Sequence, residues 1–355
     1  MDVLDAREGA CREPLLAWLA LQRRYALSPL KLPESLRRVS TAIAPGPSAA
    51  GPPLRGAEAE RLLALLARHA VQGVPITSPA YPERLRRLPD APALLWVLGT
   101  PALLLVRAVA IVGARAPTAY GLVAARRIAF ELARAGLAVV SGLARGIDAA
   151  AHEGALEAGG ATIAFQACGP ERVYPAQHRA LASRIRAQGA VVTEFPVGTP
   201  PLAAYFPLRN RLISALAEAV IVVEARERSG SLVTARCAAN QGIDVWAVPG
   251  PLDAPTSAGP NRLIQQGAGL LIEAADVLHK LGLEGPRPPR GAGAAQRPED
   301  PLARAILRAL RHSPLPRDAL AVTLASPPAA LAAALLELEL AGRVREDRDG
   351  RLRVH

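Results

Sequence analysis

Lysine, cysteine and aromatic residues are scarce in this chain, and this limits the source of its positive charge, the make-up of its core and its possible disulfide or zinc sites. Of its 42 basic residues only Lys31 and Lys280 are lysines, so arginine carries almost all of the positive charge. Aromatic residues make up 3% of the sequence, so the core must be built from leucine, valine, isoleucine and alanine. The three cysteines, Cys11, Cys168 and Cys237, are too widely spaced for a disulfide framework or a zinc site, which predicts a reducing, cytoplasmic location.

Long apolar runs and a targeting segment are also missing. The first apolar run, at 15–21, is short, and the N-terminus carries acids where a signal peptide would carry bases. No run approaches the roughly 18 residues expected of a membrane span. We therefore expect the protein to have no membrane partner.

The formal net charge is +11, but no single segment supplies it. Residues 1–100, 101–280 and 301–355 each carry a small positive excess, and the chain has no basic tail. Any polyanion must therefore be bound in a folded pocket rather than by a charged extension.

The usual nucleotide motifs are absent. No Walker A sequence is present, which argues against ATP hydrolysis by that route. The turn after the first main strand reads GARAPTAYG, without Gly-x-Gly-x-x-Gly, and the next strand ends at Gly142 without the acid that would hold a ribose. The sequence therefore predicts neither NAD nor FAD, and no cofactor or metal.

Residues 76–284 alternate apolar segments with helical ones and form the main domain. An apolar run such as 219–223 is typical of a strand buried on both faces, which occurs in parallel sheets covered by helices. The predicted fold is α/β, with an extended Rossmann-like parallel sheet. The predicted strands are 107–112, 137–141, 161–166, 190–193, 219–224, 244–248 and 270–272, and the predicted helices are 120–135, 148–158, 176–188, 209–217, 231–241 and 261–267.

Two smaller regions flank this domain. Residues 1–75 are predicted to form a small N-terminal helical domain that contains a flexible connector at 44–56. Residues 285–300 are predicted to be a Pro/Gly-rich linker. Residues 301–355 read as three helices followed by a hairpin that turns at Asp349-Gly350, the pattern of a winged helix.

The third of these helices, predicted at 328–341, is almost entirely apolar or acidic. A helix that reads the major groove needs hydrogen-bond donors on its exposed face. The composition therefore favours a protein-contact or dimer-stabilising role for the winged helix.

Two glycine-rich turns follow the first two main strands. The first contains Gly113 and Arg115, and the second contains Ser141, Gly142 and Arg145. A planar guanidinium suits a phosphate, and the N-terminus of the following helix is a ready anion site. For Arg115 a structural ion pair is the alternative interpretation.

Asp148 and His152 lie four residues apart, on one face of a predicted helix. Together with Glu153 they could be acid–base groups of an enzyme acting on a nucleotide or nucleotide sugar. The favoured interpretation is a helix-capping Asp and a packed His, because no serine or cysteine occupies a recognisable nucleophile turn. No catalytic residue is therefore predicted.

The segment Phe206-Pro-Leu-Arg-Asn-Arg places Arg209, Asn210 and Arg211 close to an aromatic ring, just before a predicted helix. Stacking combined with guanidinium contacts to a backbone is the chemistry of single-strand binding. A simple core role for Phe206 stays open at this point.

Two further predicted helix starts extend this pattern. Ser229 and Gly230 follow the strand at 219–224, and Asn261 follows a Gly-Pro turn. Their amides and polar side chains could contact phosphate. For Ser229 a helix N-cap is an equally good account.

At these segments the chain closely resembles the bacterial DNA-processing protein A family (DprA, also called Smf). The resemblance covers roughly 76–280, and the segments follow in the family's order. They are IVGAR, YGLVAARRIAFELARAGLAVVSGLARGIDAAAHEGALEAGGATIAF, GPERVYP, FPLRNRLIS, AVIVVEARERSGSLVTARCAANQGIDVWAVPG and GPNRLIQQGA.

The resemblance implies a protein that is not an enzyme and that binds single-stranded DNA with little sequence preference. It also implies a homodimer that hands the strand to the RecA recombinase in natural transformation, in competent hosts, or in DNA recombination and repair. By this resemblance Arg115 is the pocket arginine, and Phe206, Arg209, Asn210 and Arg211 match the family's Phe-Pro-x-Arg-Asn-Arg segment.

The chain departs from the family pattern in three places. Ala114 stands where a serine is common, and Ala176 stands where a lysine often follows Tyr-Pro. The stretch 214–217 reads SALA where the family usually has Ala-Gly-Leu-Ser. Arg172 or Arg179 could supply the charge that Ala176 lacks.

Overall fold

The computed structural model describes residues 3–25, 54–283 and 301–354, apart from 313, 325, 341–342 and 348–349. Contacts divide the chain into two units, residues 1–286 and residues 287–355. The connector predicted at 44–56 lies mostly outside the described residues. The linker predicted at 285–300 lies outside them as well, as does the part of the predicted N-terminal helical domain between Tyr25 and Leu54.

One ten-stranded sheet is the framework of the larger unit. Its strands are β1 (Leu4–Asp5), β2 (Gln72–Pro75), β3 (Leu94–Gly99), β4 (Ala108–Val112), β5 (Ala138–Ser141), β6 (Thr162–Phe165), β7 (Ala190–Thr193), β8 (Ala219–Val222), β9 (Asp244–Ala247) and β10 (Gly269–Leu270). Their order is β1-β2-β3-β7-β6-β5-β4-β8-β9-β10. The seven strands from β7 to β10 in this order are parallel, and β1, β2 and β3 extend the sheet antiparallel.

Helices cover both faces of this sheet because its central strands are apolar on both faces. The helices are α1 (Arg12–Tyr25), α2 (Gly56–Arg68), α3 (Glu83–Arg86), α4 (Ala119–Arg134), α5 (Ile147–Glu157), α6 (Arg179–Gln188), α7 (Tyr205–Leu216), α8 (Gly230–Asn240), α9 (Ala258–Gln265) and α10 (Ala274–Lys280). In β4, Val109 and Ile111 pack with α4, α5 and α10, whereas Ala110 and Val112 belong to the core shared with α6, α7 and α8. Each fully buried valine or isoleucine side chain contributes about 1.5 to 3 kcal/mol to the stability of the fold.

The predicted Rossmann-like α/β fold is therefore confirmed. One boundary differs in a way that matters for the site. Helix α7 begins at Tyr205 and not at 209, so Phe206 lies on the first turn of the helix instead of before it, and Arg209 lies on the second turn instead of at the start. Pro207 does not prevent this start, because the first turn of a helix does not use its N–H groups.

The N-terminal stretch differs from its prediction as a separate helical domain. β1 and β2 come from it, and both join the main sheet, β2 pairing with β3 and β3 with β7. Trp18 of α1 is fully buried in the same core as Trp96 of β3. The reason is the run LLWVL at 94–98, an apolar strand that needs cover on both faces.

The smaller unit contains α11 (Pro301–His312), β11 (Leu315–Pro316), α12 (Arg317–Leu324), α13 (Pro328–Leu340), β12 (Val344–Glu346) and β13 (Arg351–Val354). Its three strands pair in the order β11-β13-β12, and its own core includes Ile306, Leu320, Leu335 and Leu352. The predicted winged helix is thus confirmed. Over the described ranges, no helix in either unit is both long and apolar enough to cross a membrane.

Candidate nucleic-acid interface

A pocket of about 300 Å³ opens at the carboxyl ends of four neighbouring parallel strands, β4 to β7. Strand order reverses between β4 and β8, and in open α/β sheets ligands bind beside such a reversal. The loops after β4, β5 and β6 and the first turn of α7 supply the lining. It consists of Arg115, Gly142, Ala144, Arg145, Tyr174, Pro175, Gln177 and Phe206.

Phe206 is the centre of the pocket's contacts. The Cζ atom of Arg115 lies 5.2 Å from the centroid of its ring, and that of Arg209 lies 5.9 Å away. The Tyr174 ring is 5.5 Å from Phe206 and tilted by 60°. Both guanidinium groups are within the distance at which a cation is attracted to an aromatic face. The ring therefore positions Arg115, and Phe206 is not simply a core residue.

The pocket is electropositive. Arg115 and Arg145 are exposed, and none of the lining residues is acidic. Among the residues that the structure describes, no carboxylate forms an ion pair with either arginine. The structural ion pair considered for Arg115 is thus not found, and the guanidinium groups of Arg115 and Arg145 are available to an anionic ligand.

Glycine is required at two places in the second loop. A Cβ atom on Gly142 would lie 2.7 Å from Nη2 of Arg209 and 2.8 Å from Oδ2 of Asp148. Gly146 has φ 78°, and a Cβ there would lie 2.3 Å from the carbonyl oxygen of Ala114. The loop that carries Arg145 therefore passes directly over buried charged groups and against the Arg115 loop.

Arg209, a predicted DNA contact, is buried beneath the pocket. Its Nη1 donates to the carbonyl oxygens of Gly142 (2.7 Å) and Phe165, which ties the ends of β5 and β6 together. Burial lowers its pKa to about 10, against an opposing effect of the Asp148 carboxylate, so it is still a cation at neutral pH. Its geometry is that of a support for the pocket floor, and a direct DNA contact stays an untested prediction.

Arg211 lies outside the pocket and is held by two acids. Its Nε donates to Asp90 (2.5 Å), and Nη1 and Nη2 donate to the two carboxylate oxygens of Glu194 (2.8 and 2.7 Å). Further bonds go to the carbonyl oxygens of Asp90 and Leu208. All five N–H groups of the guanidinium therefore have acceptors in the protein.

Protein carboxylates occupy two of the helix N-termini that were expected to receive phosphate. At α4, Glu224 accepts the N–H of Thr118 (2.9 Å) and its hydroxyl (2.5 Å). At α5, Asp148 lies in the first turn, and its carboxylate accepts the N–H groups of Gly142 (3.1 Å) and Ala144 (3.3 Å) from the preceding loop. These negative groups neutralise the N-terminal dipoles of their helices, so the arginine side chains are the principal anion-binding groups here.

Four other predicted site residues are tied into the structure around the pocket. The hydroxyl of Ser141 donates to the carbonyl oxygen of Ile111, and Asn210 donates to that of Gly230. Ser229 accepts the N–H of Ser231 and so caps α8. Gly113 packs against Ile147, whose Cγ1 would be 2.6 Å from a Cβ at that position.

Asn261 lies elsewhere, on α9. Its amide donates to the carbonyl oxygen of Gly250 (2.9 Å) and accepts the N–H of the same residue (3.2 Å). It therefore holds the loop after β9 and is not a lining residue of the pocket. Of the predicted site residues, the structure brings together Gly142, Arg115, Arg145 and Phe206 in the lining.

Ala144, Tyr174, Pro175 and Gln177 line the pocket but were not among the predicted site residues. The signal that could have found Tyr174 is its rarity and position: it is one of few aromatic residues, and it follows the strand predicted at 161–166. In the structure it is 43% exposed. Of the two arginines expected to compensate for Ala176, Arg172 is paired with Glu171 at 2.8 Å. Arg179, at the start of α6, is exposed.

Asp148 and His152 are not accessible to a substrate. Asp148 is buried and bonded to loop amides, and His152 is fully buried against Thr162. Within the described parts of the chain, no group of three His, Cys, Asp or Glu residues could hold a metal ion. The burial of both side chains argues against Asp148 and His152 as acid–base groups.

Comparison with known proteins identifies relatives with this architecture. The chain matches the family described as DNA recombination-mediator protein A over residues 72–282, and the DprA winged helix domain over 288–350. Protein Smf of Escherichia coli is 41% identical over 288 residues, which cover 79% of this chain and 77% of that protein. DNA processing protein DprA of Bacillus subtilis is 42% identical over 222 residues, covering 62% and 75% respectively.

Two solved structures are similar to this chain. The structure of DNA processing protein A from Streptococcus pneumoniae is 33% identical with a TM-score of 0.58, and the match covers 77% of this chain and 94% of that chain. The corresponding Helicobacter pylori structure, described for its single-stranded DNA binding mode, is 32% identical with a TM-score of 0.53. That match covers 57% of this chain and 92% of the other.

Proposed function

Because the chain belongs to the DNA recombination-mediator protein A family, we propose that it binds single-stranded DNA without sequence preference and hands the strand to RecA. The process served is natural transformation or DNA recombination, in the cytoplasm. The observation that carries the proposal is the pocket itself, where Arg115 and Arg145 are exposed beside two aromatic rings and no acid is present.

The chemistry of the pocket fits a nucleic-acid strand. Guanidinium forks bind phosphate oxygens, and an exposed ring such as that of Tyr174 can stack with a base. Every base has a π-face, so stacking together with phosphate contacts confers affinity without reading sequence. No step of this function requires a reaction, which agrees with the burial of Asp148 and His152.

Arg115→Ala is expected to weaken binding to oligo-dT by roughly 10- to 100-fold, because a hydrogen-bonded charge contributes about 1.5 to 3 kcal/mol. Loss of one phosphate contact should also reduce the slope of log Kd against log salt by about 0.7. Fluorescence anisotropy of labelled oligo-dT at several salt concentrations measures both quantities. The same variant should assemble RecA filaments on single strands more slowly than the wild type does.

The matched control is Arg134→Ala, at the other end of α4, where the arginine is exposed. It changes the net charge equally and should leave both the affinity and the salt slope nearly unchanged. Equal affinities for all three proteins would exclude Arg115 from the site. Absence of any single-strand binding by the wild type at low salt would refute the function itself.

We also propose that the protein is a homodimer through the sheet edge formed by β9 and β10. A groove of about 850 Å³ lies there, and its lining combines apolar residues, Trp246 among them, with charged ones such as Arg262 and Lys280. Nε1 of Trp246 is buried without a hydrogen-bond partner in the described structure. Leu270 and Ile272, beside the groove, are 46% and 63% exposed. Protein interfaces usually combine apolar and charged residues in this way.

Ile272→Arg is expected to weaken this dimer by tenfold or more, because it would place an unpaired charge in the interface. Light scattering after size-exclusion chromatography, over a range of protein concentrations, measures the change. Leu252→Arg is the matched control, since Leu252 is 96% exposed on a different loop. A dimer equally stable in both variants would place the interface elsewhere.

A further inference from the structure

The hairpin of the smaller unit has one strongly cationic face. In the β12–β13 pair, Arg345 lies directly opposite Arg353. Val344 and Leu352 are buried in the unit's core, whereas Arg345, Arg351 and Arg353 are exposed. Because side chains alternate along a strand, these three arginines share the outer face of the hairpin. We call this face the arginine wing.

This arrangement is not explained by stability. Like charges directly opposite each other on paired strands are destabilising. Arg353 is paired with Asp347 at 2.8 Å, but among the described residues no acid pairs with Arg345 or Arg351. The arginine wing therefore keeps a net positive charge although neutral residues would fit the hairpin better.

The adjacent helix α13 has the opposite character. Its residues that the structure shows as exposed, Ala330, Ala332, Ala333 and Glu337, offer no donor to a nucleic-acid base. Arg317 pairs with Glu339 of α13 (3.1 Å) and with Glu346 of β12 (2.8 Å), so acids on that side of the unit are partly neutralised. The cationic groups available to a partner are those of the hairpin and not those of the helix.

We propose that the arginine wing is a second nucleic-acid contact, which binds the phosphate backbone without reading bases. Arg351 and Arg353 are two residues apart on one strand, a separation of about 6.6 to 6.8 Å. This is about twice the 3.4 Å axial spacing of charges along one strand of a duplex, so neighbouring forks can reach nearby phosphates. The contact extends the proposed function but does not depend on the Arg115 pocket.

The test is the double variant R345Q/R351Q of the full chain, which keeps the Arg353–Asp347 pair. Loss of two phosphate contacts should reduce the slope of log Kd against log salt by about 1.4 on oligo-dT, or by about 1.8 on a duplex of equal length. The probe that shows the change identifies which form of nucleic acid the wing contacts. Circular dichroism checks that the smaller unit is folded.

R134Q/R304Q is the matched control, since it removes two exposed arginines from helices α4 and α11 and gives the same net charge. The proposal requires a larger loss in R345Q/R351Q than in this control. Equal slopes in the two variants on both probes would overturn it. Loss of binding to polyglutamate, with nucleic-acid binding unchanged, would overturn it in favour of an acidic protein partner.

The two proposals can fail separately. A normal R345Q/R351Q together with a weakened Arg115→Ala would leave the pocket as the DNA site and refute the wing contact. The reverse result would support the wing and refute the pocket. Wild-type protein that binds neither oligo-dT nor duplex at low salt would refute both.

Discussion

Arg211→Ala is expected to lower the free energy of unfolding of the larger unit by about 3 to 5 kcal/mol, the range for breaking a buried ion pair from one side. Arg211 and Glu194 are both only about a tenth exposed, at 11% and 12%, and Arg211 binds both oxygens of Glu194. Burial raises the pKa of Glu194, and Arg211 opposes that effect. Without the arginine, a carboxylate would be left in a site from which water is largely excluded.

The measurement is thermal unfolding followed by circular dichroism, with a decrease in Tm of roughly 6 to 20 °C expected for that loss. Arg127→Ala is the control, because its ion pair with Glu131 is exposed on both sides and should contribute about 0.5 kcal/mol or less. Comparable Tm values for the two variants would contradict the prediction.

The same variant separates a structural role of Arg211 from a DNA-binding one. All of its donors are already used by the protein, so below its Tm the folded variant should bind oligo-dT within about twofold of the wild type. A loss as large as that of Arg115→Ala would instead restore Arg211 to the DNA site.

Lowering the pH from 7.5 to 5 is expected to cost the larger unit about 2 kcal/mol through His152 alone. Thr162 donates its hydroxyl proton to the carbonyl oxygen of Val139, so Nδ1 of His152 must donate to Thr162. Nε2 is then the site left for a second proton, and it is buried without a described partner. Burial, with smaller contributions from His178 and Arg209, lowers the pKa of His152 to about 3.

Because the pKa of His152 is lowered by folding, the protein is expected to lose stability as the pH falls. An unfolded histidine takes up a proton near pH 6.5 while the folded one does not, so the stabilising effect is complete above pH 6.5 and is lost as the pH falls. His152→Asn keeps a donor for Thr162 but cannot titrate, and its stability should depend less on pH by about 1.4 kcal/mol per unit below 6.5. Urea unfolding at several pH values between 5 and 7.5 measures this slope.

His279→Asn is the control, because His279 is exposed on α10. It should show the same pH dependence as the wild type. Parallel curves for the wild type and His152→Asn would mean that another group causes the acid sensitivity. A uniform offset in stability between the two proteins would not change that conclusion, because only the slope reports the titration.

The parallel half of the sheet was predictable because its strands are continuous apolar runs between helices. β4 to β9 fall within a few residues of their predicted bounds. β2 and β3 were not predicted, because the prolines at 75, 79, 82, 89 and 92 made this region resemble a proline-punctuated lead-in to the main domain. The prolines in fact lie at strand ends and turns, and the apolar run between Leu94 and Gly99 forms the strand.

The candidate site was predictable in position but less so in the role of each residue. Arg115, Arg209 and Arg211 look alike in sequence, yet one is exposed, one supports the pocket floor, and one is locked between acids. What separates them is the location of their acceptors, such as the carbonyl oxygen of Gly142 and the carboxylate of Glu194, both distant in sequence. Periodicity and motif spacing carry no information about such long-range partners.

The antiparallel edge of the sheet has a consequence for synthesis on the ribosome. Trp96 of β3 pairs with Thr193 of β7, so the apolar strand 94–98 emerges long before the strand that it joins. At about 5 to 20 residues per second, this interval lasts on the order of 5 to 20 s. β2 emerges earlier and can pair with one edge of this strand, but during that time the other edge is unpaired, and such an apolar edge is the kind of segment that chaperones bind and that aggregates when they are limiting. Because β3 pairs with β7, the first third of the chain needs the second third to be synthesised before its apolar strand is fully paired.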